Sequence, residues 1–161
     1  METKQILTKD EKINFLKNDL VKYLSKLNSE DKGTWGVLNA QQMTEHLSDA
    51  FRNYHGFDST KILTPAEQLP KYKEFLMSEK PFKQNTKNIE MPEVPLPVRH
   101  PDMKAAVEEL KAEINNFFRH FESGDDRTIT NVFFGKLNFD ESVQLLHKHA
   151  IHHLKQFGLI E

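Results

Sequence analysis

Apolar residues recur every three or four positions in four stretches of the chain, which is the spacing of a helix with one buried face. The first stretch begins after the capping-box residues Thr8 and Glu11 and predicts a helix over about residues 9–27. The opposite face of this helix carries four lysines, Lys12 among them, which we interpret as a solvated surface.

A loop is predicted over residues 29–38, where two glycines flank Trp35, and Trp35 is expected to close one end of the core. Asn39 then provides the N-cap of a second helix over about residues 40–54. The buried stripe of this helix consists of Met43, His46, Leu47, Ala50, Phe51 and Tyr54.

The middle of the chain has weaker periodicity and many prolines. Thr64 to Glu67 has the form of another capping box, and Pro70 would interrupt a long helix. Short helical pieces are therefore expected between about residues 62 and 78. Five prolines within residues 80–101 argue against a helix and predict an extended crossover along the surface.

Two more helices are predicted in the last third of the chain. Asp102 begins a strongly periodic stretch that stops at Gly124, and Asp140 is expected to cap a final helix that ends at Gly158. No strand is predicted. The chain is therefore expected to be all-α, a single four-helix-bundle domain over residues 1–161 with a long proline-rich crossover.

Composition narrows the function classes. The 22 basic residues are balanced by 24 acidic ones and interleaved with them, which argues against a nucleic-acid partner because phosphate binding needs a basic surface. No apolar run has the length of a membrane span and the N-terminus lacks a hydrophobic signal region, so no membrane contact and a cytoplasmic location are expected. Without cysteine, a metal would need His, Asp or Glu ligands.

Four of the eight histidines lie between His147 and His153. His149 and His153 are four residues apart on the predicted helix, so one lies a turn above the other and their rings can converge on one ion. Two such side chains can supply neighbouring ligands to a metal, and a third ligand must come from elsewhere.

His46 is the candidate third ligand, because it lies within the apolar stripe of the second helix, where a buried imidazole needs a partner. Taken singly, each of these histidines could be a core-edge residue with a main-chain hydrogen bond. Three on two buried stripes favour one divalent metal ion. Three ligands leave coordination positions open, which is typical of catalytic rather than structural zinc sites.

Several polar residues lie near the predicted ion. Gln42 precedes the histidine of the second helix by one turn, and Gln156 follows the last histidine by three residues; neither titrates, so both would orient water or substrate. His152 is placed at the rim of the site, partly exposed, and Glu45 and Asp49 are interpreted as solvated carboxylates. Of the remaining histidines, His147 is expected to be partly exposed, and three at helix ends or in loops are expected to be solvent-exposed: His55, His100 and His120.

Two segments carry a family resemblance. Gln42-Met-Thr-Glu-His46-Leu and His149-Ala-Ile-His-His153-Leu-Lys-Gln156-Phe-Gly, the latter following Phe133-Phe-Gly-Lys-Leu, resemble the DinB/YfiT-like superfamily. The resemblance implies an up-up-down-down four-helix bundle. It also implies a nickel, zinc or other divalent ion bound by one histidine of the second helix and two of the last, which correspond to His46, His149 and His153. Members often form homodimers, so a homodimer is a further expectation.

The resemblance also implies a range of activities. Some members are thiol transferases that use a low-molecular-weight thiol, and others are assigned as metal-dependent hydrolases. A metal-dependent transferase or hydrolase with a small-molecule substrate is therefore expected, with the crossover and Phe133–Phe134 lining its pocket. A zinc protease of the His-Glu-x-x-His class is not expected, because Ala150 stands where that motif has its glutamate. A bundle that binds a small ligand or dimerises without catalysis stays open, and no catalytic residue is assigned.

Overall fold

A computed structural model describes residues 7–53, 61–83, 95–122, 124 and 126–161. The protein is mostly helical, as predicted, and contains one small antiparallel sheet. The α-helices are α1 Lys9–Asn14, α2 Leu20–Leu24, α3 Ala40–Phe51, α4 Leu69–Met77, α5 Met103–Glu122 and α6 Phe139–Gln156. The strands are β1 Ile129–Asn131 and β2 Gly135–Leu137. A π-helical turn, Phe15–Asp19, joins α1 and α2 into one continuous helix.

The first helix begins as predicted, at a capping box formed by Thr8 and Glu11. Buried positions then recur at a spacing of four: Lys12, Leu16, Leu20 and Leu24. In a regular α-helix each such step rotates the side chain about 40° beyond a full turn, and the wider π turn offsets that rotation. Lys12, predicted to be solvated, is therefore only 5% exposed, and its Nζ donates a 2.7 Å hydrogen bond to Gln144 on α6.

One hydrophobic cluster joins the first helix, α3, α5 and α6. α3 packs along α5, while α6 contacts α1, α2 and α3. The cluster is formed mainly by Leu16, Leu20, Leu24, Met43, Leu47, Phe51, Leu110, Ile114, Phe117, Val143, Leu146 and Leu154. Because α3 and α6 share this core, side chains at the edge of their buried stripes come close together.

The short sheet corrects the prediction of no strand. Ile129 pairs with Leu137 and Asn131 with Gly135, which turns the chain at a φ of +79°. Strands of three residues are too short to show an alternating pattern in the sequence. Phe134, in the turn between the strands, is buried in a second small cluster against Leu76.

The middle segment matches its prediction in part. A 3-10 turn, Ala66–Gln68, precedes α4, so short helical pieces are present as expected. The predicted capping box is wrong, because the hydroxyl of Thr64 donates instead to the main-chain oxygen of Phe133. The described parts of the predicted crossover, residues 80–83 and 95–101, contain no helix. Its other residues, like Tyr54 in the predicted second helix, lie outside the described ranges.

The last helix begins two residues earlier than predicted. Asn138, not Asp140, is its N-cap: the Asn138 side chain accepts from the main-chain N–H of Glu141, whose carboxylate accepts from Asn138. The helix ends as predicted before Gly158, which has a left-handed φ of +70°. Across the described ranges, none of the helices is long and apolar enough to cross a bilayer.

Candidate metal centre

Three histidine side chains from two helices converge on one point. His46 lies on α3, and His149 and His153 lie one turn apart on α6. Nε2 of His149 is 3.1 Å from Nε2 of His46 and 3.0 Å from Nε2 of His153. One ligand atom from each ring lies within 4.8 Å of the other two. The histidines named from the sequence thus lie close enough together to bind one metal ion.

The spacing of the nitrogens is close to that of ligands around a tetrahedral ion. Zinc–imidazole bonds of about 2.0–2.1 Å at tetrahedral angles separate neighbouring nitrogens by about 3.3 Å. The two short separations in the protein are 3.1 and 3.0 Å. A hydrogen bond can form in only one of these two nitrogen pairs, because Nε2 of His149, which both share, carries either one N–H or one in-plane lone pair. A cation between three lone pairs would satisfy both contacts.

Gln156 determines which nitrogen of His153 is available to a metal. Its Nε2 donates a 3.0 Å hydrogen bond to the main-chain oxygen of Trp35, so its Oε1 faces the other way. That oxygen lies 2.7 Å from Nδ1 of His153 and accepts from it. We therefore assign the Nδ1–H tautomer to His153, which leaves a lone pair on Nε2. Gln156, predicted to lie beside the ion and orient water or substrate, orients a candidate ligand.

Burial keeps His153 in the neutral form that metal binding requires. The residue is 6% exposed, whereas His46 and His149 are half-buried. Removal from water, with a smaller contribution from the neighbouring His46, lowers the pKa of His153 to about 3 despite the hydrogen bond to Gln156. The ring is therefore uncharged at neutral pH. His153 forms the buried side of the cluster, and the other two histidines form its partly exposed side.

Aromatic side chains line one side of the cluster. The Phe82 ring lies 6.3 Å from the His149 ring and 5.9 Å from the His152 ring, measured between centroids. Trp35, expected to close one end of the core, instead packs its ring 4.7 Å from His152. His152 is half-buried, and burial lowers its pKa. These three residues, Trp35, Phe82 and His152, form an aromatic wall beside the histidine cluster.

A buried lysine holds the chain that leads to this wall. Nζ of Lys148 donates to the main-chain oxygens of Ser78, at 2.9 Å, and of Lys80. Lys148 is 7% exposed, and burial lowers its pKa. Because Phe82 follows Lys80 by two residues, these hydrogen bonds help to set the position of its ring against His149.

Polar residues of α3 that were placed near the ion face elsewhere. Gln42 Oε1 accepts from the main-chain N–H of Asn39 and its Nε2 donates to the crossover, so its amide caps the helix rather than serving the histidines. Glu45, expected to be solvated, is 4% exposed and accepts from the main-chain N–H of Arg99. Asp49 pairs with the guanidinium of Arg99 at 3.0 Å. These carboxylates anchor the crossover, because their side of α3 faces it.

Two other histidines are less exposed than predicted. His100 is half-buried, with Nε2 3.0 Å from a carboxylate oxygen of Glu109, and His120 is half-buried near the end of α5. His147 is partly exposed, as expected, and burial followed by the charge of the nearby Lys12 lowers its pKa to about 4. His55 lies outside the described residues.

Sequence reasoning missed the surroundings of the cluster. Phe82 stands in a proline-rich segment without periodicity, so no local pattern indicates its contact with α6. The burial of Lys148 depends on main-chain oxygens of a distant segment, which the sequence does not mark. The glycines on either side of Trp35 indicate a loop, although nothing in their spacing indicates what the loop contacts.

The cluster consists of three imidazoles, each of which can be neutral. Among the described residues, no carboxylate belongs to this group of possible metal ligands. Such a set suits a divalent ion of intermediate softness and leaves positions for a water or a substrate donor. Comparisons with known protein families, with curated proteins and with solved structures find no match for this chain.

Proposed function

We propose that the chain is a DinB/YfiT-like protein that binds one zinc or nickel ion through Nε2 of His46, His149 and His153. The observation that carries this proposal is the convergence of these three nitrogens, with separations of 3.1 and 3.0 Å. The resemblance of two short segments to this superfamily points to the same three residues. If that resemblance were due to chance, there would be no reason for the ring nitrogens of these residues to lie together.

We further propose that the site is catalytic, of the thiol S-transferase or hydrolase type. A divalent ion held by three neutral imidazoles would act as a Lewis acid and lower the pKa of a water or an incoming thiol at an open position. The chain's own residues hold and shape the site: Gln156 orients His153, and burial keeps that ring neutral. The aromatic wall offers an apolar surface to the body of a small-molecule substrate.

A second candidate function is the binding of a small ligand without catalysis. The observation that favours it is the composition of the cluster, which contains three histidines and no carboxylate among the described residues. Among the residues that the structure describes, this group therefore offers no carboxylate to take up a proton from water. Both candidates require the metal, so metal binding is the first test.

Metal analysis of protein purified without a nickel column tests whether the chain binds a metal ion, which both candidate functions require. We expect one zinc or nickel ion per chain in the wild type, a large loss in His149→Ala, and full retention in His120→Ala, whose imidazole lies outside the cluster. A metal content below one ion per chain that is the same in the wild type and in His149→Ala would contradict the proposal.

Activity assays on the metal-loaded protein separate the two candidates. Thiol transfer and hydrolysis of small esters and amides would be screened with wild type and with His46→Ala side by side. An enzyme shows one activity that disappears in the variant. A binding protein shows neither activity in the wild type, although it retains the metal.

A further inference from the structure

The loop around Trp35 encloses Gln156 on two sides. A Cβ atom added at Gly36 would lie 2.6 Å from Nε2 of Gln156, and one added at Gly33 would lie 2.8 Å from its Cγ. Gly36 also has a φ of +81°, which side-chain-bearing residues rarely adopt. Any residue larger than glycine at either position would displace the Gln156 side chain.

The same loop holds the main chain of Gln156. The main-chain N–H and the hydroxyl of Thr34 both donate to the main-chain oxygen of Gln156, at 2.6 and 3.0 Å. This oxygen belongs to the last turn of α6, where carbonyls lack partners within the helix. The side chain meanwhile donates to the oxygen of Trp35. The four consecutive residues from Gly33 to Gly36 thus lie against Gln156, and its one remaining acceptor, Oε1, faces His153.

We propose that the Gly33–Gly36 loop is a positioning element of the metal centre, acting through Gln156 to hold His153 as the Nδ1–H tautomer with Nε2 toward the ion. This inference rests on the proposed metal site and adds the residues that prepare it. The oxygen of Trp35 can only accept, so it determines the orientation of the Gln156 amide, and the amide in turn determines where His153 carries its proton. A His153 ring that carries its proton on Nε2 would have to lose that proton before Nε2 could bind the metal.

The tautomer can be measured in the metal-free protein by long-range ¹H–¹⁵N correlation of the imidazole nitrogens. In the wild type we expect His153 to be protonated on Nδ1. In Gln156→Leu we expect a mixture of tautomers or protonation on Nε2, because the acceptor of the Nδ1–H is gone. An unchanged Nδ1–H signal in folded Gln156→Leu would overturn the inference.

Zinc affinity, measured by competition with a chelator, tests the role of the loop. Removal of partners that orient a ligand weakens metal binding by about 10- to 100-fold, so Gly36→Ala and Gln156→Leu should each fall in this range. Gly158→Ala is the matched control, since Gly158 has a similar φ of +70° but a Cβ there would meet nothing within 4 Å. Gly36→Ala with the affinity of Gly158→Ala would overturn the loop's role.

Thr34→Ala separates positioning from helix capping. It removes the hydroxyl that caps the last turn of α6 and leaves the Gln156 side chain in place. We expect lower stability with unchanged zinc affinity and tautomer; a loss of affinity equal to that of Gly36→Ala would show that capping alone explains the loop. If wild-type protein binds no zinc, the proposed function fails, and the tautomer measurement still decides whether Gln156 orients His153.

Discussion

Nε2 of His149 and Nε2 of His153 lie 3.0 Å apart, a distance at which two lone pairs repel unless a proton or a cation lies between them. If a metal ion occupies this position, it stabilises the folded protein because the unfolded chain has no assembled site. Zinc at about a thousand times its dissociation constant would add about 4 kcal/mol to the free energy of unfolding.

We therefore expect zinc to raise the melting temperature of the wild type and to leave that of His149→Ala almost unchanged. Differential scanning calorimetry with and without chelator measures both effects, and His120→Ala should behave like the wild type. An equal loss of stability in His149→Ala with and without zinc would assign His149 a structural role only.

The second prediction concerns the lysine that holds the segment before Phe82. Lys148→Met preserves the aliphatic chain but removes the donor to the main-chain oxygens of Ser78 and Lys80. An unsatisfied buried acceptor costs about 1–3 kcal/mol, which denaturant unfolding can detect. Lys136→Met, at an exposed strand position, is the control and should change little. Equal stability of the two variants would mean that Lys148 contributes no net hydrogen bond.

The third prediction distinguishes two candidate caps of α6. Asn138→Ala removes the side chain that accepts from the N–H of Glu141, and loss of such a cap costs about 1 kcal/mol. Asp140→Ala removes an exposed ion pair with Lys9 and a carboxylate in the first turn of α6, for which we expect a smaller effect. Denaturant unfolding of the two variants measures the difference, and the reverse order would restore Asp140 as the cap.

The fourth prediction concerns acid stability. Burial acts to raise the pKa of Glu109, but hydrogen bonds and charge from Arg99 and His100 outweigh it, so the pKa lies below the ordinary 4.5. A lowered folded-state pKa adds stability that is present above the unfolded pKa and is lost as pH falls through the folded one. Glu109→Gln should therefore destabilise the protein at neutral pH and much less at a pH below the lowered folded-state pKa, where Glu109 is protonated in the folded protein as well.

Unfolding free energies of both proteins at the two pH values give this difference directly. Glu108→Gln is the control, because Glu108 is exposed and pairs with Lys111 on the surface. A loss in Glu109→Gln that is the same at both pH values would indicate packing rather than the charge as its cause.

The helices and the histidine cluster could be predicted because local rules specify them. Capping boxes at Thr8 and Asn39 and the glycine at 158 fix helix ends through hydrogen bonds within a few residues. The spacing of His149 and His153 follows from helix geometry alone. His46 could be named because an imidazole in an apolar stripe needs a partner, although that rule does not say which one.

The errors lie where burial depends on distant chain segments. Lys12 and Glu45 were interpreted as solvated because charged side chains on helices usually are, and each is buried by a partner far along the chain. Gln42 and Gln156 looked equivalent beside their histidines, but only Gln156 meets one. The difference arises because Gln42 satisfies a capping box at the start of its helix, whereas Gln156 lies at the end of α6, against the Trp35 loop.

The π-helical turn Phe15–Asp19 links the length of the first helix to its contact with α6. Loss of one residue there would restore a regular α-helix, and the rotation lost with that residue would be regained because the remaining residues wind more tightly. Lys12 would then stay on the side of the helix that faces Gln144 and Glu79. A homologue one residue shorter in this turn is therefore expected to keep a buried lysine at this position, whereas one that loses a residue elsewhere in the first helix is expected to expose it.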